Sequence, residues 1–355
     1  MQFLAEYGLF LAKAITIVVT ILIVVGGIIS LAMRQKKSTE KRLEITHLNP
    51  RYEEMEKTIA AAALTEVGLK RKMKADQKKE KQAAKAEKKA GKTAKKEAGK
   101  ADESRKKRLF VLDFDGDIKA TDVENMRQEI SALLTIADKE DEVLVRLESG
   151  GGTVHGYGLA ASQLQRIRDQ GIPLTIAVDK VAASGGYMMA CVANKIIAAP
   201  FAIIGSIGVL AQIPNLNRLL KKHDVDFEQL YAGEFKRTLT LFGENTAKGR
   251  AKMQAELEET HALFKSFVKS QRPGLDVDKV ATGEHWLGTR ALELGLVDLL
   301  QTSDDYLMSL RNDAELILIE YSEKQTMVEK LSQLMTLKWR QQSKLVQDVD
   351  KPLLM

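Results

Sequence analysis

The chain has 355 residues, 45% of them hydrophobic, and a formal net charge of +6. That is enough apolar content for a packed core without staples. A lone cysteine, Cys191, excludes an intramolecular disulfide and leaves the redox compartment open.

After an N-terminal segment, 1–13, comes AITIVVTILIVVGGIISLAM, Ala14 to Met33, twenty residues without a charge. At 1.5 Å per residue such a stretch crosses a hydrocarbon core of about 30 Å. The start is not strongly basic and no good small-x-small cleavage site precedes RQKK, so an uncleaved transmembrane anchor is expected rather than a removed signal peptide. Arg34, Lys36, Lys37, Lys41 and Arg42 follow the span while only Lys13 precedes it, and the positive-inside tendency would place the bulk of the chain in the cytoplasm.

A juxtamembrane region, 34–68, leads into a low-complexity block, 69–108. The block holds 18 Lys/Arg against 6 Asp/Glu, so it carries 18 − 6 = +12 and the rest of the chain 6 − 12 = −6. The basic balance therefore belongs to a linker, whose ordinary role is a solvated spacer. Attraction to anionic lipid headgroups is a sharper reading. No aromatic residue interleaves the lysines, which argues against nucleic acid as a partner.

From 109 to 322 short apolar runs (LFVLDF, EVLVRLES, IPLTIAVD) alternate with amphipathic segments (ATDVENMRQEISALLTIA, GYGLAASQLQRIRDQ). This rhythm predicts a layered α/β domain with parallel strands and ligand chemistry at their carboxyl ends. Three loops there stand out: DFDGD, ESGGGTVHGYG and KVAASGGY. The first imitates an aspartyl-phosphate nucleophile loop, with Asp113 and Asp115, but Asp117 adds a third negative charge. The far acidic pair Asp304-Asp305 follows no convincing buried strand. Asp113 and Asp115 then read as a strand end and turn. GYGLAA, Gly156 to Ala161, resembles a dinucleotide fingerprint with Asp179 as the ribose acid; its glycines start well past the strand end near Leu147, where the fingerprint needs them directly after it.

The third loop places Ser184 after a strand and at the start of the small-residue run GGYMMACVA, within which Cys191 reads as a buried, inert thiol. A serine at a helix N-terminus is ordinarily a cap. Here Gly185 and Gly186 clear side chains from its hydroxyl, and Ser149 to Gly152 bring further backbone N–H groups near, as an oxyanion hole requires.

LESGGGTVHGYG, DKVAASGGYMMACVANKIIAAP, IIGSIGVL, YAGEFKRTLTLF and GEHWLGTRALELGLVD occur in this order between about Leu109 and Leu300. Together they resemble the signal peptide peptidase (SppA) family of serine proteases, which share a crotonase/ClpP-like layered α/β fold. The resemblance implies a Ser–Lys dyad: Ser184 as nucleophile, Lys236 as general base, Ser206 orienting the lysine, and Gly151, Gly152 and Gly185 as oxyanion-hole candidates. A lysine base must be neutral at working pH although the free side chain titrates near 10.4, so it needs an apolar setting. Phe235, Leu239, Leu241 and Phe242 flank Lys236. Only the resemblance lifts Lys236 above Lys180, Lys195, Lys221 and Lys248. Histidine is not required, and His155 lacks an acid partner for a triad. One departure is Glu148-Ser149-Gly150-Gly151-Gly152 where the family shows Asn-Ser-Pro-Gly-Gly; glycine for proline loosens the loop.

The same resemblance implies ring-like homo-oligomers and a protease domain, 109–322, on the outer, periplasmic face of the cell inner membrane. Substrates would be peptides or membrane-protein fragments. Ala182, Ala183, Tyr187 and Met188 were natural candidates for a shallow apolar groove. An acyl-CoA enzyme using Glu148, or a silent membrane scaffold, are the other readings. No P-loop, HExxH or Cys/His cluster calls for a nucleotide or metal cofactor. The tail, 323–355, spaces Val328, Leu331, Leu334, Met335 and Trp339 as a helical face.

Overall fold

The computed structural model describes residues 41–75 and 106–323, with isolated positions at 13, 15, 16, 18–20, 78 and 81. The expected Ala14–Met33 anchor falls for the most part outside the described residues, as do most of the lysine block and the tail face. No helix among the described residues is long and apolar enough to cross a membrane. The chain divides into a unit of residues 44–320 and a second of 1–43 with 321–355; the first holds the candidate site.

A ten-stranded sheet organises it. In chain order the elements are β1 (Lys41–His47), α1 (Asn49–Ala63), β2 (Lys107–Gly116), α2 (Val123–Leu133), β3 (Glu142–Ser149), α3 (Val154–Asp169), β4 (Leu174–Val178), β5 (Val181–Ala183), α4 (Gly185–Ala190), β6 (Lys195–Ala198), β7 (Ile203–Gly205), α5 (Asn217–Lys222), α6 (Ala247–Gln271), α7 (Val277–Val280), β8 (His285–Leu287), α8 (Gly288–Glu293), β9 (Leu299–Leu300), α9 (Ser303–Leu310) and β10 (Ala314–Glu323). The main path runs β1-β10-β2-β3-β4-β6-β9, and β5, β7 and β8 branch from β3. The β10–β2, β2–β3, β3–β4, β4–β6 and β6–β9 pairs are parallel.

Period-two alternation in β2 explains the layers. Phe110, Leu112 and Phe114 turn to one face and join Met126, Ile130 and Leu133 of α2 and Tyr157, Ala160 and Leu164 of α3. Leu109 and Val111 turn to the other, against Leu48, Tyr306 and Leu307. With both faces covered, the strand reads as an unbroken apolar run. The mixed α/β architecture with a parallel sheet agrees with the alternation in the sequence.

Residues 44–63, part of the expected juxtamembrane region 34–68, belong to the same unit as the sheet. Leu48 is buried and its N–H donates to Leu316 O at 2.9 Å. The Asn49 carboxamide donates to the Arg311 and Ala314 carbonyls, both at 2.9 Å, and accepts from Leu316 N–H at 2.8 Å. A short polar side chain thus does the joining, and it has no hydrophobic signature.

The site-bearing step follows β4. Its continuation, β5, leaves β4 and pairs instead with β3 (Ser149 opposite Ala182) and with β7 (Ala183 opposite Gly205). The chain end that carries Ser184 is thereby placed between the β3–α3 loop and β7.

Candidate active site

Ser184 follows Ala183 directly and is the N-cap residue of α4, with φ 52° and ψ −116°. That is the left-handed side of backbone space, uncommon for a residue with a Cβ. Its side chain makes no capping hydrogen bond, so the ordinary role of an N-cap serine is unfilled. The backbone is held instead: Ser184 N–H donates to Gly205 O at 2.8 Å and Ser184 O accepts from Met188 N–H at 3.0 Å. Ser206 follows Gly205 on the neighbouring parallel strand, also at φ 52°, with its N–H on Glu284 O at 2.7 Å. The β5–β7 register therefore sets Ser184 and Ser206 side by side.

The glycine loop closes on the same point. Gly151 has φ 86°, and a Cβ there would lie 2.8 Å from Ser184 Cβ and 2.7 Å from Gly185 N. Gly152 lies under the β2–α2 loop so closely that a Cβ would meet Ile118 O at 2.1 Å. Gly185 backs onto the ring of Tyr157 with no room for a side chain. Gly151 N–H donates to Ser149 Oγ at 3.0 Å. Its hydrogen is committed, which takes Gly151 out of the three oxyanion-hole candidates. Neither Gly152 N–H nor Gly185 N–H has a backbone acceptor among the described residues; the latter opens a helix, where such groups are orphans.

Lys236 sits in a turn, its N–H on Gly233 O at 3.1 Å, and its side chain is exposed. The apolar enclosure expected from Phe235, Leu239, Leu241 and Phe242 is not formed among the described residues; Phe235 is itself exposed and faces Lys248 and Lys252. The competing lysines are all engaged. Lys180 pairs with Glu148 at 2.8 Å, Lys221 with Glu244 at 3.2 Å and Lys248 with Glu234, while Lys195 lies over the Tyr306 ring. Lys236 alone of the five has no such partner among the described residues.

Several sequence decoys resolve. Asp113 is held by both Arg146 nitrogens at 2.6 Å. Asp117 accepts from Lys119 N, Thr121 N and Thr121 Oγ1, and the Thr121 amide above all keeps its carboxyl below the usual range. Gly156 and Gly158 lie inside α3 rather than in a turn, and Asp179 accepts from Ser303 N and Oγ at 2.8 and 2.5 Å. Asp304 and Asp305 open α9. His155 is exposed. Glu148, tied to Lys180 at the surface, is no pocket acid. Ala182, Ala183 and Tyr187 are core rather than groove, with Tyr187 OH donating to Leu296 O at 3.0 Å, and Met188 packs half-buried against them.

One buried hydrogen-bonded arrangement beside the glycine loop has no sequence signal. Buried Tyr157 donates its hydroxyl to Asp117 O at 2.8 Å and shares a 2.5 Å hydrogen bond with buried Ser149. Burial raises the Tyr157 phenol above its usual value, so it stays a donor. The three partners lie 8 and 40 residues apart in sequence.

A family model, the N-terminal model of peptidase family S49, matches residues 2–164, and the peptidase family S49 model matches 166–317. "Probable protease SohB" of Haemophilus influenzae is 53% identical, covering 92% of this chain and 91% of that protein. The chain belongs to peptidase family S49. Another S49 relative, "Probable protease SohB" of Buchnera aphidicola from Acyrthosiphon pisum, is 51% identical over 94% of each chain. Among solved structures, a mutant of the 1510-N membrane-bound stomatin-specific protease in complex with a substrate peptide aligns with TM-score 0.39 and 16% identity, covering 65% of this chain and 98% of that one. The S49 chain described here is a peptidase.

Proposed function

We propose that this S49 peptidase is a membrane-anchored serine endopeptidase of crotonase/ClpP-like fold, in which Ser184 is the nucleophile and Lys236 the general base. The observation that carries the reading is Ser184 itself: a non-glycine residue at φ 52°, at the end of a strand, beside three glycines, whose hydroxyl caps nothing. Strain of this kind costs on the order of 1–3 kcal/mol and persists where the surroundings impose it.

In the proposed reaction, Ser184 Oγ attacks the peptide carbonyl as Lys236 Nζ takes the hydroxyl proton. The developing oxyanion is met by Gly152 and Gly185 N–H, and the lysine returns the proton to the leaving amine. Water then attacks the acyl-enzyme by the same exchange and releases the acid. Ser206, beside Ser184, orients the lysine amine. That Lys236 has no partner among the described residues, while the other four lysines are engaged, supports its assignment.

A lysine that acts as a general base needs an apolar cover, which the described residues do not place over Lys236. Leu230, at 95% exposure, and Tyr231 and Phe235 surround that stretch, as expected of a face buried in a homo-oligomer. Ala14–Met33 would anchor each chain in the cell inner membrane. The outer-side habit of the family and the basic flank vote oppositely on sidedness; we assign the protease domain to the periplasmic face. Apolar peptides, such as signal-peptide remnants and membrane-protein fragments, are the substrates such an anchored site would meet.

A serine-directed acylating probe tests the nucleophile. Labelling is expected in the full chain and lost in Ser184→Ala with unchanged circular dichroism; undiminished labelling of that variant overturns the assignment. Protease accessibility in spheroplasts against inverted vesicles decides sidedness.

A further inference from the structure

The candidate oxyanion loop is Gly150-Gly151-Gly152, the sequence least able to hold a shape by itself. Its geometry comes from three other places. Ser149, buried at the end of β3, accepts from Gly151 N–H at 3.0 Å, which draws Gly151 into its φ of 86°. Ser149 in turn shares its 2.5 Å hydrogen bond with Tyr157 OH, and that hydroxyl donates to Asp117 O at 2.8 Å. Donor arithmetic orders the chain: the single phenolic hydrogen goes to the Asp117 carbonyl, so the Ser149 hydroxyl, whose other acceptor Gly116 O lies at a longer 3.5 Å, donates to Tyr157 at 2.5 Å and keeps its lone pairs for Gly151 N–H. The β2–α2 loop so anchored places Ile118 O over Gly152 and accepts Thr153 N–H at 2.8 Å. The face of the Tyr157 ring meanwhile supports Gly185, and Ser149 O abuts Gly186.

We propose that Ser149 and Tyr157 are positioning residues for peptide hydrolysis, which fix the Gly152 and Gly185 N–H groups relative to Ser184 through one shared hydrogen-bond chain. The proposal rests on Ser184 being the nucleophile. Neither side chain touches substrate. Their effect falls on the transition state, because a donor displaced by a fraction of an ångström loses the oxyanion while leaving ground-state peptide binding alone.

The test uses the full-length chain in detergent micelles, a fluorogenic apolar peptide and a reversible peptide boronate, with rates expressed per titrated active site. Ser149→Ala and Tyr157→Phe are expected to lower kcat by about 10- to 100-fold with KM within about threefold, and to weaken the boronate in parallel. The double variant should lose no more than the worse single one, since both break the same chain. Tyr157→Phe keeps the ring against Gly185 and carries the test alone should Ser149→Ala fail to fold. Wild-type kcat per site in Tyr157→Phe with only a lower melting temperature would mean a purely structural pair and overturn the proposal, as would multiplied losses in the double variant. Ser184→Ala separates the two levels: if it retains cleavage, the nucleophile assignment fails, whereas a dead Ser184→Ala beside fully active Ser149 and Tyr157 variants defeats the positioning role alone.

Discussion

The Glu142 carboxylate, buried at the head of β3, accepts from Lys107 Nζ at 2.6 Å, from Thr175 Oγ1 at 3.0 Å and from the Tyr306 hydroxyl. Burial alone would raise its carboxyl, and these donors, Lys107 foremost, outweigh burial and hold it below the ordinary glutamate range. A lowered folded value means that the stabilisation is complete above the unfolded value, near 4.3, and drains away as pH falls below it. Melting temperature should therefore drop as pH is taken from about 5 to 3. Glu142→Gln should cost roughly 1–2 kcal/mol at neutral pH and flatten that acid limb; an unchanged limb in differential scanning calorimetry would refute the role. Lys236 has the opposite character, exposed and without a partner among the described residues. Lys236→Ala and Lys236→Arg should each reduce cleavage of an apolar peptide by at least 100-fold at unchanged fold, the arginine because it does not deprotonate near neutral pH. Activity kept in either variant would move the base elsewhere.

Among the elements, β7 and α4 bear most directly on the site. Gly205 ends β7 at φ 105°, its carbonyl accepts Ser184 N–H, and a Cβ there would lie 2.9 Å from the Trp286 ring. Gly205→Ala should destabilise the fold by roughly 1–3 kcal/mol and slow acylation of Ser184 by a serine probe by 10-fold or more. A variant that labels at the wild-type rate would show that β7 does not hold the nucleophile. The strand rhythm LFVLDF, EVLVRLES and IPLTIAVD was legible because both faces of each central strand are covered, so most residues of these runs are apolar. The branch at β5 was not: three residues, Val181–Ala183, leave β4 for β3 and β7, and nothing in their composition marks a change of neighbour.

At the scale of the whole molecule the charge is divided, with +12 in the linker and −6 elsewhere. Apolar surface is divided too. In 210–242 Leu210, Leu230, Tyr231, Phe235 and Phe242 are exposed, and α6 buries only Gly249, Phe264 and Val268 of its 25 residues. Leu230→Asp is expected to dissociate the proposed oligomer in analytical ultracentrifugation and to remove activity with it; a fully active monomer would defeat the proposed covering of Lys236. The proposed Ala14–Met33 anchor predicts that alkaline carbonate leaves the intact chain in the membrane pellet, and release into the supernatant would exclude it.

The sequence by itself determined the α/β class, the three loops at the strand ends and Ser184 as the residue of interest, because these depend on local patterning: apolar runs, glycine doublets and a serine between them. The motifs also brought Ser206 and Lys236 forward, although only by resemblance. Tertiary structure decided the rest. The incorporation of residues 44–63 turns on the Asn49 carboxamide bridging to β10 and the turn before it, contacts 262 to 267 residues away. The removal of Gly151 from the oxyanion candidates turns on a hydroxyl two residues earlier, itself ordered by Tyr157 and Asp117. Which of five lysines has no partner among the described residues depends on where Glu148, Glu234, Glu244 and Tyr306 come to rest. Hydrogen bonds and ion pairs between distant segments need only one polar atom at each end, so they leave no periodicity in a chain, whereas burial acts on every second or fourth residue and does.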